Sequence, residues 1–182
     1  MPGENSLYRK IQIVLDVAVS IEVSSLNNLK EEIKSRRPPN FLTKKYDHKI
    51  NTFVTDVSER SIRRTTNFCY RLGLVEADGG LTEIGRKALH KKHFEGIVSA
   101  QIRSFLKRAG VNLLELNQII QNHLKADPPV LPTCKEIWVA TGNQISYPTF
   151  SRLLTLLAQC GGAHSSQRKI YLHIMEELSA VG

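Results

Sequence analysis

An internal repeat constrains the fold of this chain more than any other feature of its sequence. Residues 26–43 contain a leucine-asparagine pair, a proline pair and a threonine that recur in residues 116–133 at a constant offset of 90. A second block, residues 57–73, recurs in residues 145–161 at an offset of 88. The slip of two residues falls where a loop would absorb it. The repeat therefore predicts two units with a similar order of helices.

The predicted boundary lies near residue 93, so two domains are expected at 1–93 and 94–182. The chain has a formal net charge of +8, and the charge is unevenly divided. The first span has 17 lysines and arginines against 11 acids, whereas the second has 8 against 6. A basic balance favours polyanionic partners through counterion release, although an incidentally basic surface is the alternative. The first unit is therefore the expected anion-binding half.

Apolar spacing, caps and proline predict a series of helices in the first unit. A helix is expected over residues 5–19, although alternating apolar residues leave a strand over 17–23 open. A second helix is expected from Ser24 or Ser25 to Arg37, because the following proline pair cannot continue it. After a short extended piece, Thr43 is expected to cap a third helix that ends near Asp56.

The helix predicted from Ser58 to Leu72 carries the most informative pattern. At about 100° per residue its apolar side chains gather on one side. The opposite side gathers Arg60, Arg63, Arg64, Asn67 and Arg71. Arginine binds guanine edges and phosphates bidentately, and asparagine binds adenine in the same way. This face therefore has the chemistry of major-groove recognition, with a solvated surface as the alternative.

The residues after this helix extend the pattern into a recognisable order. Gly73 suits the left-handed position that ends a helix, a tight hairpin is expected over residues 74–82, and Thr82 can cap a helix that runs to about Lys92. A Ser-capped, Arg-rich helix, a short hairpin and Leu81-Thr82-x-x-Gly85-Arg86 resemble the winged-helix (helix-turn-helix) superfamily, especially its bacterial and archaeal regulators.

This resemblance implies a mainly α fold with small β-hairpin wings, arranged as two tandem winged-helix domains. It also implies that the Ser-capped helix enters the major groove of duplex DNA, which makes the five polar residues of that helix the groove-facing set. The first wing departs from the pattern, because it carries Glu76 and Asp78 and no basic tip. No DNA contact is therefore expected from that wing.

The second unit repeats the plan with a different surface. Helices are expected over residues 94–108, 111–125, 134–140 and 147–159, the last two capped by Thr133 and Ser146. The last of these helices leaves Ser151, Arg152, Thr155 and Gln159 outside. A second wing is expected over residues 163–172, where the basic residues are Arg168 and Lys169.

Several basic and polar residues outside the main helix complete the predicted DNA-binding set. Residues expected to neutralise phosphates are Lys44, Lys45, Lys49, Arg168 and Lys169. The corresponding helix face of the second unit contributes Arg152, Thr155 and Gln159. Double-stranded DNA is the expected partner.

Other classes of protein find little support in the sequence. No apolar run is long enough for a membrane span, and the first residues lack the order of a secretion signal, so a cytoplasmic protein is expected, with nucleoid association open. The three cysteines are far apart in apolar patterns, which predicts buried reduced thiols. His90 and His93 lack a third ligand nearby, so neither a metal nor a cofactor is expected. No nucleophile is paired with a base, so an enzyme is not expected.

The sequence thus favours a DNA-binding protein that acts as a transcriptional regulator or as a replication or defence accessory factor. The alternative is a tandem winged-helix adaptor that binds proteins within a larger complex, because the second unit is weakly charged. The long first helix of each unit offers a dimerisation surface, so a homodimer also remains open.

Overall fold

The computed structural model describes residues 6–22, 24–90, 93–126, 131–142, 144–160 and 167–179. The chain divides into two compact units, Pro2–Phe94 and Glu95–Gly182, within each of which the residues lie close together in space. That each unit is a winged-helix domain stays a prediction.

The elements of the first unit are four helices, a short 3-10 turn and two strands. In chain order they are α1 Leu7–Ser20, α2 Leu26–Arg36, the 3-10 turn Pro39–Phe41, β1 Leu42–Asp47, β2 Thr52–Val57, α3 Glu59–Arg71 and α4 Glu83–Ala88.

The first two helices begin at serine caps, of which only the one at Ser25 was predicted from the sequence. The hydroxyl of Ser6 accepts the Arg9 N–H, and that of Ser25 accepts the Asn28 N–H, so each satisfies an amide that the helix leaves unpaired. The predicted helix over residues 5–19 is confirmed in substance as α1. The alternative strand over residues 17–23 is wrong, because α1 continues to Ser20.

The predicted helix from Thr43 to Asp56 is also wrong, because these residues form an antiparallel hairpin. β1 and β2 pair in the register that sets Leu42 opposite Val57 and Asp47 opposite Thr52. The strands are rich in threonine, valine and aromatic residues, which favour extended backbone. The turn contains Asn51, which takes a left-handed φ of 50°. Thr43 therefore begins a strand pair instead of capping a helix.

The predicted helix that starts at Ser58 is confirmed as α3, including its cap and its end. The Ser58 hydroxyl accepts the Ser61 N–H. Gly73 has a φ of 69°, and the Gly73 and Leu74 amides donate to the Tyr70 and Cys69 carbonyls. This is the glycine-terminated hydrogen-bond pattern that satisfies the last carbonyls of a helix.

A tight turn joins α3 to α4. It is closed by one bridged pair, Val75 and Leu81, so the predicted hairpin is present in a minimal form. Thr82 caps α4 as predicted, since its hydroxyl accepts the Gly85 N–H at 2.8 Å. The helix ends at Ala88, before the expected Lys92, and residues 91–92 lie outside the described residues.

The core of the first unit lies between α1, α2 and α3. The predicted inward side of α3 is confirmed, because Ile62, Thr65, Thr66, Phe68, Cys69 and Leu72 are all buried. α3 packs against α1 and α2, in which Ile11, Leu15, Leu29 and Ile33 are fully buried. Burial of this apolar area fixes the orientation of α3, so its opposite side must face outward.

The described residues of the second unit form helices and their connections. They are α5 Phe94–Arg108, α6 Leu113–Lys125, α7 Cys134–Ala140, α8 Tyr147–Cys160 and α9 Gln167–Ser179. The four predicted helices are confirmed within about two residues, and Thr133 forms a reciprocal cap with Glu136 at the start of α7. Trp138 is a half-buried packing residue that donates from its indole to the Ile145 carbonyl.

The predicted second wing over residues 163–172 is wrong from residue 167 onward, because α9 occupies that position. Its buried residues Tyr171, Ile174 and Leu178 follow helical spacing, and α9 packs against α6 and α8. Residues 161–166, the rest of the predicted wing, lie outside the described part of the chain.

The cysteine prediction agrees with the structure. None of the three cysteines forms a disulfide, and Cys69 and Cys160 are buried as predicted, whereas Cys134 is half-buried. Burial strongly raises the pKa of the Cys69 thiol, so this side chain stays protonated and unreactive in the folded protein.

Candidate nucleic-acid interface

The outward side of α3 places five polar side chains on one exposed face. They are Arg60, Arg63, Arg64, Asn67 and Arg71, and each is exposed. We call this set the α3 polar face. The buried side of the same helix is fixed in the core, so the five side chains extend from a rigid support.

The one acidic residue at the start of α3 is neutralised by a lysine from α2. The Lys34 ammonium lies 2.5 Å from the Glu59 carboxylate. A hydrogen bond to Glu59, together with the charge of Glu31, raises the pKa of Lys34. The lysine therefore remains charged, and Glu59 does not leave an unbalanced negative charge beside the arginines.

A cleft of about 360 Å³ separates the exposed sides of α2 and α3. Its charged lining consists of Lys30, Glu31, Lys34, Glu59, Arg60 and Arg63. Four cations against two acids leave a positive balance at the N-terminal end of α3. Neither Lys30 nor Lys34 was predicted from the sequence, because the packing of α2 against α3 brings together residues about 30 positions apart.

Three guanidinium groups of the α3 polar face are not used in the ion pairs of the described residues. Cations that do form such pairs include Lys34, Arg36, Arg37 and Lys87. Arg60, Arg63 and Arg71 take part in none of them. These groups are consequently available to a ligand without breaking an internal ion pair.

A half-buried lysine of α1 contacts the start of α3. The Lys10 ammonium donates to the Ser61 hydroxyl at 3.0 Å and lies 5.6 Å from the centre of the Phe41 ring. Burial lowers the pKa of Lys10. This residue positions the helix and is not itself presented to a ligand.

No family model, curated protein or solved structure matches this chain. The resemblance to winged-helix regulators therefore remains an expectation from the sequence.

The three predicted phosphate-binding lysines of the first unit lie on the hairpin and not on a helix. Lys44 and Lys45 are exposed on β1, and Lys49 is exposed in the turn before β2. Because β2 ends at Val57 and α3 begins at Glu59, the hairpin leads directly into the N-terminal end of the α3 polar face.

The predicted residues of the second unit form a weaker site. On α8, Thr155 is exposed, whereas Arg152 and Gln159 are half-buried. The Thr155 hydroxyl is already engaged, since it donates to the Ser151 carbonyl at 2.8 Å. Arg168 and Lys169 lie on α9 instead of a wing, and their side chains are outside the described residues.

Two further features bear on what this chain binds. Among the described residues, no helix has both the length and the apolar character required to cross a bilayer. In the same part of the chain, no group of three or more histidine, cysteine or acidic side chains is placed to hold a metal ion, and His90 and His93 gather no such partners.

Proposed function

We propose that this chain binds double-stranded DNA by inserting α3 into the major groove. The observation that carries the proposal is the arrangement of Arg60, Arg63, Arg64, Asn67 and Arg71 on one exposed face of a helix whose other face is buried. An α-helix with its side chains is about as wide as the major groove of B-form DNA. In this role the protein serves as a transcriptional regulator or as a replication or defence accessory factor.

The electrostatics of the first unit support this proposal. Lys34 compensates Glu59, and Lys30 adds positive charge at the cleft beside Arg60 and Arg63. A phosphate backbone that passes along the α2 side of α3 would therefore meet cations from two helices. Arginine forks and the Asn67 amide supply the hydrogen-bonding geometry that distinguishes guanine and adenine edges.

Sequence readout by α3 is tested by selecting bound duplexes from a random pool with the full chain. The selected site is then titrated with Arg63→Ala, Asn67→Ala and Arg71→Ala. Loss of a bidentate base contact is expected to weaken binding about 10- to 100-fold and to relax the preference at one base position. Fluorescence anisotropy measures the affinity of each variant.

Arg86→Ala provides a matched control, because Arg86 is an exposed arginine of the same unit on α4. This control is expected to bind the selected site nearly as tightly as the wild-type chain. Equal affinity for all four variants, or a pool that yields no preferred site, would contradict base readout by α3.

A protein-binding adaptor is the second candidate, favoured by an apolar surface on the second unit. Leu114 on α6 is 79% exposed beside a cleft also lined by Val111, Leu113 and Leu178. Val111, Leu113 and Leu178 are buried, so the cleft has an apolar floor that could receive an apolar side chain of a partner protein. A purified partner whose binding is lost in Leu114→Ser and kept in Arg63→Ala would favour the adaptor.

A further inference from the structure

The β1–β2 hairpin protrudes from the first unit with little support of its own. Val57 is buried, and Leu42, Asp47 and Val54 are half-buried, whereas the other residues of its two strands are exposed. At about 3.4 Å per residue, each strand extends about 17 Å. An isolated two-stranded hairpin is only marginally stable in water, so this hairpin depends on interactions at its base and at its tip.

The base of the hairpin is anchored at the start of α3. The Ser58 amide donates to the Phe41 carbonyl at 2.8 Å, which ties the two ends of the hairpin together. Arg37, in a left-handed conformation after α2, donates from its guanidinium to the Thr55 carbonyl. One backbone and one side-chain hydrogen bond therefore hold the base of the hairpin, whereas its two faces bury little surface.

The outer end of the hairpin is ordered by an aromatic cluster. Tyr46 lies opposite Phe53 in the strand register, with ring centroids 5.2 Å apart, and its ring also meets His48 at 4.9 Å. The Tyr46 hydroxyl donates to the Asn51 side chain across the turn. The shape of the tip is thus set before any ligand binds.

This ordered tip exposes apolar surface. Phe53 is 68% exposed and Ile50 is 59% exposed. Both residues lie toward the outer end of the hairpin. Large apolar side chains that cluster in solvent mark binding surfaces. The tip is therefore shaped for contact with a partner.

The charges of the hairpin identify the chemistry of that partner. Directly paired residues share a face, so Lys44, Tyr46, Phe53 and Thr55 lie on one side of the ribbon, and the strands place no acidic side chain there. Asp56 lies on the other side, 3.9 Å from the Arg37 guanidinium. Lys45 lies on that other side together with Asp47, and Lys49 lies in the turn. Lys44 on the aromatic side and Lys49 in the turn give the tip a positive balance, so this side of the hairpin is complementary to a polyanion.

We infer that the hairpin is a second arm for the same duplex, which contacts DNA beside the segment bound by α3. Lys44, Lys45 and Lys49 neutralise phosphates, and the Phe53 ring enters the minor groove as an apolar wedge that bends the duplex. The inference rests on the proposed function. It assigns the role of a wing to a hairpin before α3 instead of the acidic turn after it.

The test compares the full wild-type chain with two hairpin variants on a short labelled duplex. The Lys44→Ala/Lys45→Ala/Lys49→Ala variant is expected to bind about tenfold or more weakly near 0.1 M salt, with a salt slope reduced by about 2 to 3. Phe53→Ser is expected to keep that slope and to lose the bend that energy transfer between the duplex ends reports.

Two further variants serve as comparisons. Lys125→Ala replaces an exposed lysine of the second unit, and Arg63→Ala replaces an arginine of the α3 polar face. The inference is overturned, and the proposed function kept, if both hairpin variants bind and bend DNA like Lys125→Ala while Arg63→Ala weakens binding. A wild-type chain with no salt-dependent binding to duplex DNA overturns both. Loss of a protein partner in Phe53→Ser with DNA bending unchanged would assign the tip to a protein and also overturn it.

Circular dichroism of each variant checks the fold. The substituted lysines and Phe53 are exposed, so the helical signal is expected to match that of the wild-type chain. Arg37→Ala provides a second approach, because it removes the hydrogen bond to Thr55 that anchors the hairpin without altering any residue of the arm. This variant is expected to reduce the bend of the duplex. If Arg37→Ala and Phe53→Ser both bend the duplex as the wild-type chain does, the inference is overturned.

Discussion

Gly85 shows how one residue sets the distance between α4 and the turn that follows α3. A Cβ atom added at this glycine would lie 2.0 Å from the Leu74 carbonyl oxygen, which is backbone and cannot rotate away. The same segment is held by Thr82, whose hydroxyl donates to the Gly73 carbonyl and accepts the Gly85 amide. The threonine and the glycine three residues later are therefore both required by the close packing of α4 against this turn.

Gly85→Ala is expected to destabilise the first unit by about 2–4 kcal/mol, because the helix must move away from Leu74. Gly96→Ala is the matched control, since Gly96 is exposed on α5 with no heavy atom within 4 Å of an added Cβ. The control is expected to stabilise the protein by about 0.5 kcal/mol through helix propensity. Urea denaturation measures both changes, and an equal shift in both variants would contradict the close packing at Gly85.

Among the elements, α3 was predictable and the hairpin before it was not. The cap, the inward side and the terminating glycine of α3 are all encoded within residues 58–73. Thr43 is ambiguous, because threonine is favourable both as a helix cap and in a strand. The pairing of β1 with β2 decides between the two, and pairing depends on the turn at residues 48–51.

The last helix was missed for a different reason. The repeat predicted a wing over residues 163–172, although Tyr171, Ile174 and Leu178 have the spacing of a buried helix side. The repeated blocks therefore coincide with α2 and α6 and with α3 and α8, whereas the segment between them is a hairpin in the first unit and contains α7 in the second. The Lys34–Glu59 ion pair was also beyond prediction, since it depends on how α2 packs against α3.

The position of α9 depends on the Tyr171 hydroxyl, which donates to the Pro132 carbonyl just before α7. Burial raises the pKa of Tyr171 to about 12, above the usual value of about 10. The protonated form is favoured in the folded state. Its stabilising contribution is therefore complete below about pH 10 and is lost as the pH rises toward about 12.

Thermal unfolding across this alkaline range is expected to show a steeper loss of stability in the wild-type chain than in Tyr171→Phe. At neutral pH the variant is expected to be less stable by about 1 kcal/mol, because the hydrogen bond is absent. Tyr70→Phe, which alters an exposed tyrosine of α3, is expected to change little at neutral pH. Parallel pH profiles for the wild-type chain and Tyr171→Phe would contradict the role of this hydroxyl.

Across the chain, positive charge and exposed binding groups concentrate in the same unit. Residues 1–93 carry a net +6, and residues 94–182 carry a net +2. The first unit presents the α3 polar face and the lysines of the hairpin, whereas α8 of the second unit offers half-buried Arg152 and a Thr155 hydroxyl that is already bonded. DNA binding is therefore expected to depend mainly on the first unit, with long-range attraction aiding association.

The decisive measurement is the affinity for a short duplex as a function of salt, for the wild-type chain and for Arg60→Ala/Arg63→Ala/Arg71→Ala. The logarithm of the association constant is expected to fall with that of the salt concentration at a slope of about −4 or steeper, and the triple variant is expected to reduce the slope by about 2 to 3. Affinity that does not change with salt, or a triple variant with the wild-type slope, would contradict DNA binding through α3.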